Sequence, residues 1–139
     1  MQTKKSAKLI DDNKCFACGR ENPDGLNLQF SYSSDGERVA TTFIPDTRYQ
    51  GWGGIVHGGI IVTLLDEVMA KTAVKKGFNV LTGEITAKFK NTAKVLEPLR
   101  CEAEIVAVKK KVLYARASAY KENGTIVAQA TSKMFITSL

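Results

Sequence analysis

The sequence predicts an α+β domain in which an antiparallel sheet wraps one long central helix. Three observations carry that prediction: two short alternating segments before residue 45, one apolar run of helical spacing from Ile60 to Lys76, and four segments of rough period-two patterning after it. Leu26 to Ser31 and Arg38 to Ile44 alternate apolar and polar residues, with Ser33-Ser34-Asp35-Gly36 between them as turn chemistry, so they form a hairpin. Pro45-Asp46 to Gly54 is a glycine-rich loop. The run that follows is apolar at Ile60, Ile61, Leu64, Leu65, Val68, Met69 and Ala73, a helical spacing that leaves little of the circumference polar. Such a helix has to be wrapped by other structure. Gly77 ends it where a left-handed residue is wanted, and Lys75 and Lys76 suit the negative end of the helix dipole. Strands are expected over Val80 to Asn91, Leu99 to Lys109, Val112 to Lys121 and Ile126 to Thr137, with Asn123-Gly124 as a hairpin turn of the favoured kind. Leu113, Ala115, Ala117 and Ala119 share one face, as do Ile126, Ala128, Ala130, Ser132 and Met134; these small side chains let a helix approach the sheet closely.

At 139 residues, 44% hydrophobic and 24% charged, the chain is large enough for one self-sufficient core. A single domain is expected over 15–139, after a flexible polar stretch at 1–14. No apolar run approaches the roughly 18 residues of a membrane span, and the start Met1-Gln2-Thr3-Lys4-Lys5-Ser6-Ala7-Lys8 lacks a signal-peptide core. The expectation is a soluble cytoplasmic protein without a membrane partner. Its net charge of +6 would favour polyanions, but Lys4, Lys5, Lys8, Lys14 and Lys109-Lys110-Lys111 are scattered and do not interleave with stacking aromatics. Nucleic acid is therefore not expected, and the charge reads as a diffuse field attracting phosphorylated small molecules. The cysteines, Cys15, Cys18 and Cys101, form an odd set suited to a reducing compartment. Cys15-Phe16-Ala17-Cys18 has zinc-ligand spacing, yet a closed site needs four ligands, and the only other thiol and imidazole are Cys101 and His57. A turn held by small, semi-buried thiols is the favoured reading, and no metal is expected.

The chemistry-bearing stretch is Gly51-Trp52-Gly53-Gly54-Ile55-Val56-His57-Gly58-Gly59, which runs straight into the helix. Glycines at a helix start leave backbone N–H groups unshielded, and the aligned peptide dipoles add partial positive charge there. An oxygen gaining negative charge would be stabilised. Farther along, Asp66 shares its helix face with Val62, Thr63, Met69 and Ala70, none of them charged, whereas Glu67 has Lys71 four residues on and an ordinary ion-pair motive. A carboxylate kept among apolar neighbours without a local cation is costly unless it serves chemistry or finds distant donors. A polarising helix end and a carboxylate together point to acyl chemistry. Taken alone, the glycines could be turn formers, His57 a hydrogen-bonded structural residue, and Trp52 and Tyr49 either a pocket lining or a loop anchor.

With His57-Gly58-Gly59, an acid nine positions after the histidine, and Thr82-Gly83-Glu84-Ile85-Thr86-Ala87-Lys88-Phe89 in view, the chain from about Cys15 onward resembles the hotdog-fold acyl-CoA thioesterases of the PaaI-like branch. The resemblance implies a homodimer or a dimer of dimers with active sites at the subunit interface. It also implies that Gly58 N–H polarises the thioester carbonyl, that Asp66 of the partner chain is nucleophile or general base, and that Thr82 helps position water. His57, Gly59, Gln50 and Trp52 are then the substrate-binding residues, His57 orienting substrate and not shuttling protons. Some relatives carry an asparagine or aspartate six residues before the histidine; here that position is Gly51, and its neighbour Gln50 is the residue placed to reach the same space.

The partner so implied is an acyl-CoA, its phosphates steered by basic residues among Lys88, Lys90, Arg100 and the Lys109 run, and no cofactor is called for. No Gly-x-Ser-x-Gly elbow supports a serine nucleophile, and no phosphate-cradling Gly-x-x-x-x-Gly-Lys motif is present. Two other readings use the same pocket: a hotdog dehydratase acting on acyl thioesters, and a non-catalytic module that binds and senses acyl-CoA.

Overall fold

A computed structural model describes residues 9–138 as one six-stranded antiparallel sheet curled around one helix. In chain order the elements are β1 (Phe30–Tyr32), β2 (Arg38–Phe43), a single 3-10 turn (Thr47–Tyr49), α1 (Gly58–Lys75), β3 (Asn79–Phe89), β4 (Leu99–Lys109), β5 (Val112–Lys121) and β6 (Ile126–Ser138). The strands lie in the order β1-β2-β4-β5-β6-β3, so β3, which follows the helix, returns to the far edge from β1. This is the predicted α+β architecture. Of the stretch expected to be flexible, residues 9–14 are exposed and outside helix or strand; residues 1–8 lie outside the described part.

Helix α1 owes its place to its side chains. Ile61, Leu64, Leu65, Val68, Met69, Thr72 and Ala73 are buried, and no residue from Ile60 to Ala73 is fully exposed. Opposite them the sheet supplies Leu99, Cys101, Leu113, Ala115, Ala119, Val127, Ala128 and Met134, all almost inaccessible. Alanines at the middle of β5 and β6, with Ala117 opposite Ala130 and Ala119 opposite Ala128, keep the sheet surface low there. Gly77 ends the helix at φ +91° as expected, with its N–H on Val74 O and Phe78 N–H returning to Ala73 O.

Three local readings change. The first strand begins at Phe30 and not at Leu26, because the Leu26 and Leu28 amides donate to Phe16 and Ala17 carbonyls, both at 2.9 Å, instead of to a strand. Asn123-Gly124 does turn the β5–β6 hairpin, but only Gly124 has positive φ, at +88°, and Gly124 N–H bonds Lys121 O. That is a tighter turn followed by a left-handed glycine, the three-residue hairpin loop, and not a two-residue loop needing positive φ at both residues. Finally, β3 is bulged between Thr82 and Glu84. The extra residue is Gly83, where any Cβ would lie 2.1 Å from the Phe135 ring. Val80 faces the helix before the bulge and Ile85 and Ala87 after it, so the bulge switches the facing parity and lets Thr82 point inward as well.

β3 is an eleven-residue edge strand that exposes most of its length, including Leu81 and Phe89 at 51% and 52%. Long, apolar unpaired edges are covered in stable proteins. Among the described residues, no helix is long and apolar enough to cross a membrane.

The enclosure of α1 makes a definite stability prediction. Leu64→Ala, which empties a fully buried position on the helix face, is expected to lower the unfolding free energy by about 2 to 5 kcal/mol in a urea titration.

Candidate active site

The start of α1 is capped by a side chain, and the cap decides which amide is left over. His57 takes extended φ and ψ, −61° and 133°, and its Nδ1 accepts the Gly59 N–H at 2.8 Å. The imidazole nitrogen that accepts carries no proton, so in the neutral ring the hydrogen sits on Nε2. Gly59 gives room for this approach, since a Cβ there would sit a tight 3.1 Å from His57 Nδ1. Ile60 and Ile61 amides both turn to His57 O, at 3.0 and 3.3 Å. Of the first four amides of the helix, that of Gly58 alone has no partner among the described residues. It sits at the positive end of the helix dipole, with the tip of the Phe89 ring beside it.

The loop before the helix is held by its own backbone. Gly51 N–H bonds Ile55 O at 2.8 Å, His57 N–H bonds Tyr49 O at 2.8 Å, and Val56 N–H bonds Ala93 O at 2.8 Å. Gln50 is part of this scaffold: its Oε1 accepts the Gly54 N–H at 3.0 Å. Its side chain is therefore engaged in shaping the loop, although Gln50 lines a shallow cleft of about 420 Å³ together with Arg48, Tyr49, His57, Gly59 and Thr63. Trp52 does not line that cleft. At 85% exposure it neither fills a pocket of its own chain nor anchors the loop.

At the middle of α1 the second half of the site forms. Thr82, turned inward by the Gly83 bulge, donates its hydroxyl to Asp66 Oδ1 at 2.6 Å. This short bond to one carboxylate oxygen is a distant donor of the kind that the sequence offered as the alternative to a chemical role, and no ion pair of Asp66 is found among the described residues. The other oxygen, Oδ2, is left free to accept a proton or to attack. Glu67 differs, as expected, by pairing with Lys71 at 3.8 Å. The setting is less ordinary than expected, however: the Glu67 and Lys71 side chains are only 16% and 23% exposed, and the Cys15–Cys18 turn packs against them. Cys101 is far less accessible, wholly buried in β4 opposite Thr41 and Ala119, and burial pushes its thiol up to about 12.

The two halves do not meet within one chain. Eight residues separate Gly58 from Asp66, which at the helical rise puts them about 12 Å apart along the axis. The structure therefore joins Thr82 to Asp66, and His57 to Gly59 beside Gln50, but holds the pairs apart. Sequence reasoning missed the bulge that aims Thr82; the isolated Gly83 within a strand pattern was its signal.

The family model described as the thioesterase superfamily matches residues 53–128. Human acyl-coenzyme A thioesterase THEM5 is 23% identical over 119 residues, 86% of this chain but 48% of that protein. Its mouse counterpart is 28% identical over 94 residues, 68% of this chain and 38% of the other. The chain thus spans less than half the length of these curated relatives. Among solved structures, a hypothetical thioesterase protein with coenzyme A from Streptococcus pneumoniae TIGR4 superposes with a TM-score of 0.75 at 21% identity, covering 81% of this chain and 87% of that one. The PaaI protein of the E. coli phenylacetic acid degradation operon superposes with a TM-score of 0.74 at 17% identity, covering 79% and 83%. These likenesses establish the hotdog fold.

The cap yields a stability test independent of any reaction. His57→Ala should lower the unfolding free energy by about 1 kcal/mol in urea denaturation, and His57→Asn, whose side-chain oxygen can accept the same amide, should recover most of that loss.

Proposed function

The chain belongs to the thioesterase superfamily, and from that premise we propose that it hydrolyses the thioester of an acyl-CoA to the free acid and CoA, at sites shared between two copies of the chain. The observation that carries the reading is the single unspent amide at the start of α1, Gly58 N–H, on the same helix that bears the Thr82-bonded Asp66.

In this scheme the thioester carbonyl oxygen accepts the Gly58 N–H. As the carbonyl carbon is attacked, that oxygen becomes an oxyanion, and one donor in such a place contributes about 3 to 4 kcal/mol in the transition state. Asp66 acts from the opposite side. With Oδ1 engaged by Thr82, Oδ2 either takes a proton from the attacking water or attacks the carbon itself. In the first route the water oxygen bonds to the carbonyl carbon, the carbon–sulfur bond breaks, and the CoA thiolate leaves and is protonated. His57 holds the helix start and the Gly59 amide, and Gly59 and His57 border the cleft where substrate would enter.

The separation of about 12 Å within one helix is the argument for a second copy. β3 is the exposed edge next to both halves: its Thr82 touches Asp66, and its Phe89 lies beside Gly58. An antiparallel β3–β3 pair with its twofold axis near Ile85 and Thr86 would bring Thr82 of one copy opposite Phe89 of the other, and so Asp66 toward the partner's Gly58. The same pairing covers Leu81 and Phe89 and gives the outlying Trp52 a second chain to meet. Of the basic residues considered for CoA, Arg100 is committed to Glu102 at 2.9 Å. Lys88 and Lys90 flank Phe89, with Lys88 on the outer face of the sheet beside Thr86 and Arg116, and remain as the phosphate partners. The streptococcal relative has been solved with single alanine replacements of a threonine and of an aspartate, the two residue types that this chain sets in contact.

A panel of acyl-CoA substrates, followed by release of free thiol, tests the activity. Asp66→Asn should lose turnover by at least about a hundredfold while acyl-CoA binding is kept, and Thr82→Val should lose about tenfold through the missing hydrogen bond to a charged group. Binding without turnover in the wild type would instead identify a sensing module, and a modified acyl chain without thiol release a dehydratase.

Subunit mixing tests the shared site. Gly58→Pro removes the N–H at the first helical position, where proline fits and the extended His57 before it is compatible. Gly58→Pro and Asp66→Asn proteins should each be inactive. Mixed and re-equilibrated, they should regain roughly a quarter of wild-type activity, since half the dimers are hybrid and each hybrid has one intact site. No recovery would mean that each chain works alone.

A further inference from the structure

Two thiols and a carboxylate that the thioester chemistry leaves unused converge on the flank of α1 away from β3. Cys15 Sγ, Cys18 Sγ and a carboxylate oxygen of Glu67 all lie within 4.8 Å of one another. Two come from a turn near the N-terminus and the third from the middle of the helix, so the group joins segments about fifty residues apart in sequence.

The turn is built to present both sulfurs. Gly19 N–H bonds Cys15 O at 2.8 Å, and Ala17 N–H points at Cys15 Sγ at 3.4 Å, an N–H···S contact of the kind that steadies a thiolate. A Cβ on Gly19 would lie 2.3 Å from Cys15 N and 2.6 Å from Asn13 O, so only glycine lets the chain close after Cys18. The Leu26 and Leu28 amides then fasten Phe16 and Ala17 to the segment leading into β1. Sequence reasoning set the Cys-x-x-Cys spacing aside because it sought further thiols and imidazoles; the third donor is a carboxylate delivered by the helix.

We propose that Cys15, Cys18 and Glu67 bind one Zn²⁺ ion, with water in the fourth position on the exposed side of Cys15, and that this ion ties the N-terminal turn to α1. Ligands about 2.3 Å from a tetrahedral zinc stand roughly 3.8 Å apart, so closing on the metal takes small side-chain movements from the separations present. The donor set selects the ion. Thiolates are poor ligands for magnesium and calcium, and two are too few for an iron–sulfur cluster. Two thiolates and a carboxylate exceed the charge of zinc by one. Lys71 supplies the balancing cation: its Nζ is 3.8 Å from Glu67 Oε1 and 5.3 Å from the centre of the Phe30 ring.

The ion would be structural. Adjacent helix positions point about 100° apart, so Glu67 faces β1 and the cysteine turn while Asp66 faces Thr82 on β3 at the opposite edge of the sheet.

The test uses the full chain, reduced with a phosphine and stripped with a chelator, then titrated with Co²⁺ alone as a spectroscopic probe. One cobalt per chain is expected, with thiolate-to-metal charge-transfer absorption and tetrahedral ligand-field bands, both displaced by one equivalent of Zn²⁺. Cys15→Ser and Cys18→Ser should lose the charge-transfer intensity, Glu67→Gln should weaken binding by about tenfold or more, and Cys101→Ser should change nothing. Should a cysteine variant fail to fold, the wild type carries the test: Zn²⁺ should protect Cys15 and Cys18 from iodoacetamide, read by mass spectrometry. Absence of a thiolate band, a band whose affinity Glu67→Gln leaves intact, or alkylation unaffected by Zn²⁺ would each overturn the site. None of these readouts involves thioester turnover, so the outcome is independent of the proposed activity.

Discussion

Enclosure of α1 is the constraint on which the rest of this protein depends. A helix with Ile61, Leu64, Leu65, Val68, Met69 and Ala73 at zero to two per cent exposure cannot lie on a surface, and the sheet curls because that is how six strands reach most of its circumference. Small residues along the centre of β5 and β6 permit the close approach. Once the helix is fixed, the direction of its dipole, the position of its first amide and the faces of Asp66 and Glu67 are fixed with it. A polar group on such a helix has to find a partner or a use, and each of the two acids does so on a different side.

The helix start shows how a local motif reserves a donor. Helix N-termini leave four amides without intrahelical partners; here the His57 amide goes to Tyr49 O, the Gly59 amide to the His57 side chain and the Ile60 amide to the His57 carbonyl. What is left is one N–H on a glycine, with no side chain to screen it. The His57 side chain thus acts as the helix cap, with Nδ1 as the acceptor. Gly59 in turn eases the approach of the imidazole, since a Cβ there would crowd Nδ1.

Geometry along the helix keeps the two halves of the candidate site apart within one chain. The unspent amide and the carboxylate are too far apart for one small reacting group, yet both lie close to the same uncovered strand, at Phe89 and Thr82. An edge strand of eleven residues with exposed leucine and phenylalanine is a liability in isolation and an interface when paired. The Gly83 bulge is what allows β3 to face the helix at Thr82 while keeping its later residues in register with β6.

Much was legible from the sequence because it is written in periodicity and local chemistry. The helix from its apolar spacing, its end at Gly77, three of the four later strands to within a residue, and the distinction between Asp66 and Glu67 by helical face all rest on interactions within a few positions of each other. The first strand was overextended because Leu26 and Leu28 spend their amides on a turn ten residues earlier, which no local pattern reveals. The loop contact that engages the Gln50 side-chain oxygen, on the Gly54 amide, was likewise not visible in the pattern, although Gln50 does line the cleft with His57 and Gly59. The sequence by itself determined which residues must be buried and where the helix must begin, since hydrophobic spacing and capping act at short range. Only the tertiary structure decided that Thr82 would meet Asp66 and that Glu67 would meet Cys15 and Cys18, because those distances depend on how the sheet closes over the helix and on one inserted glycine.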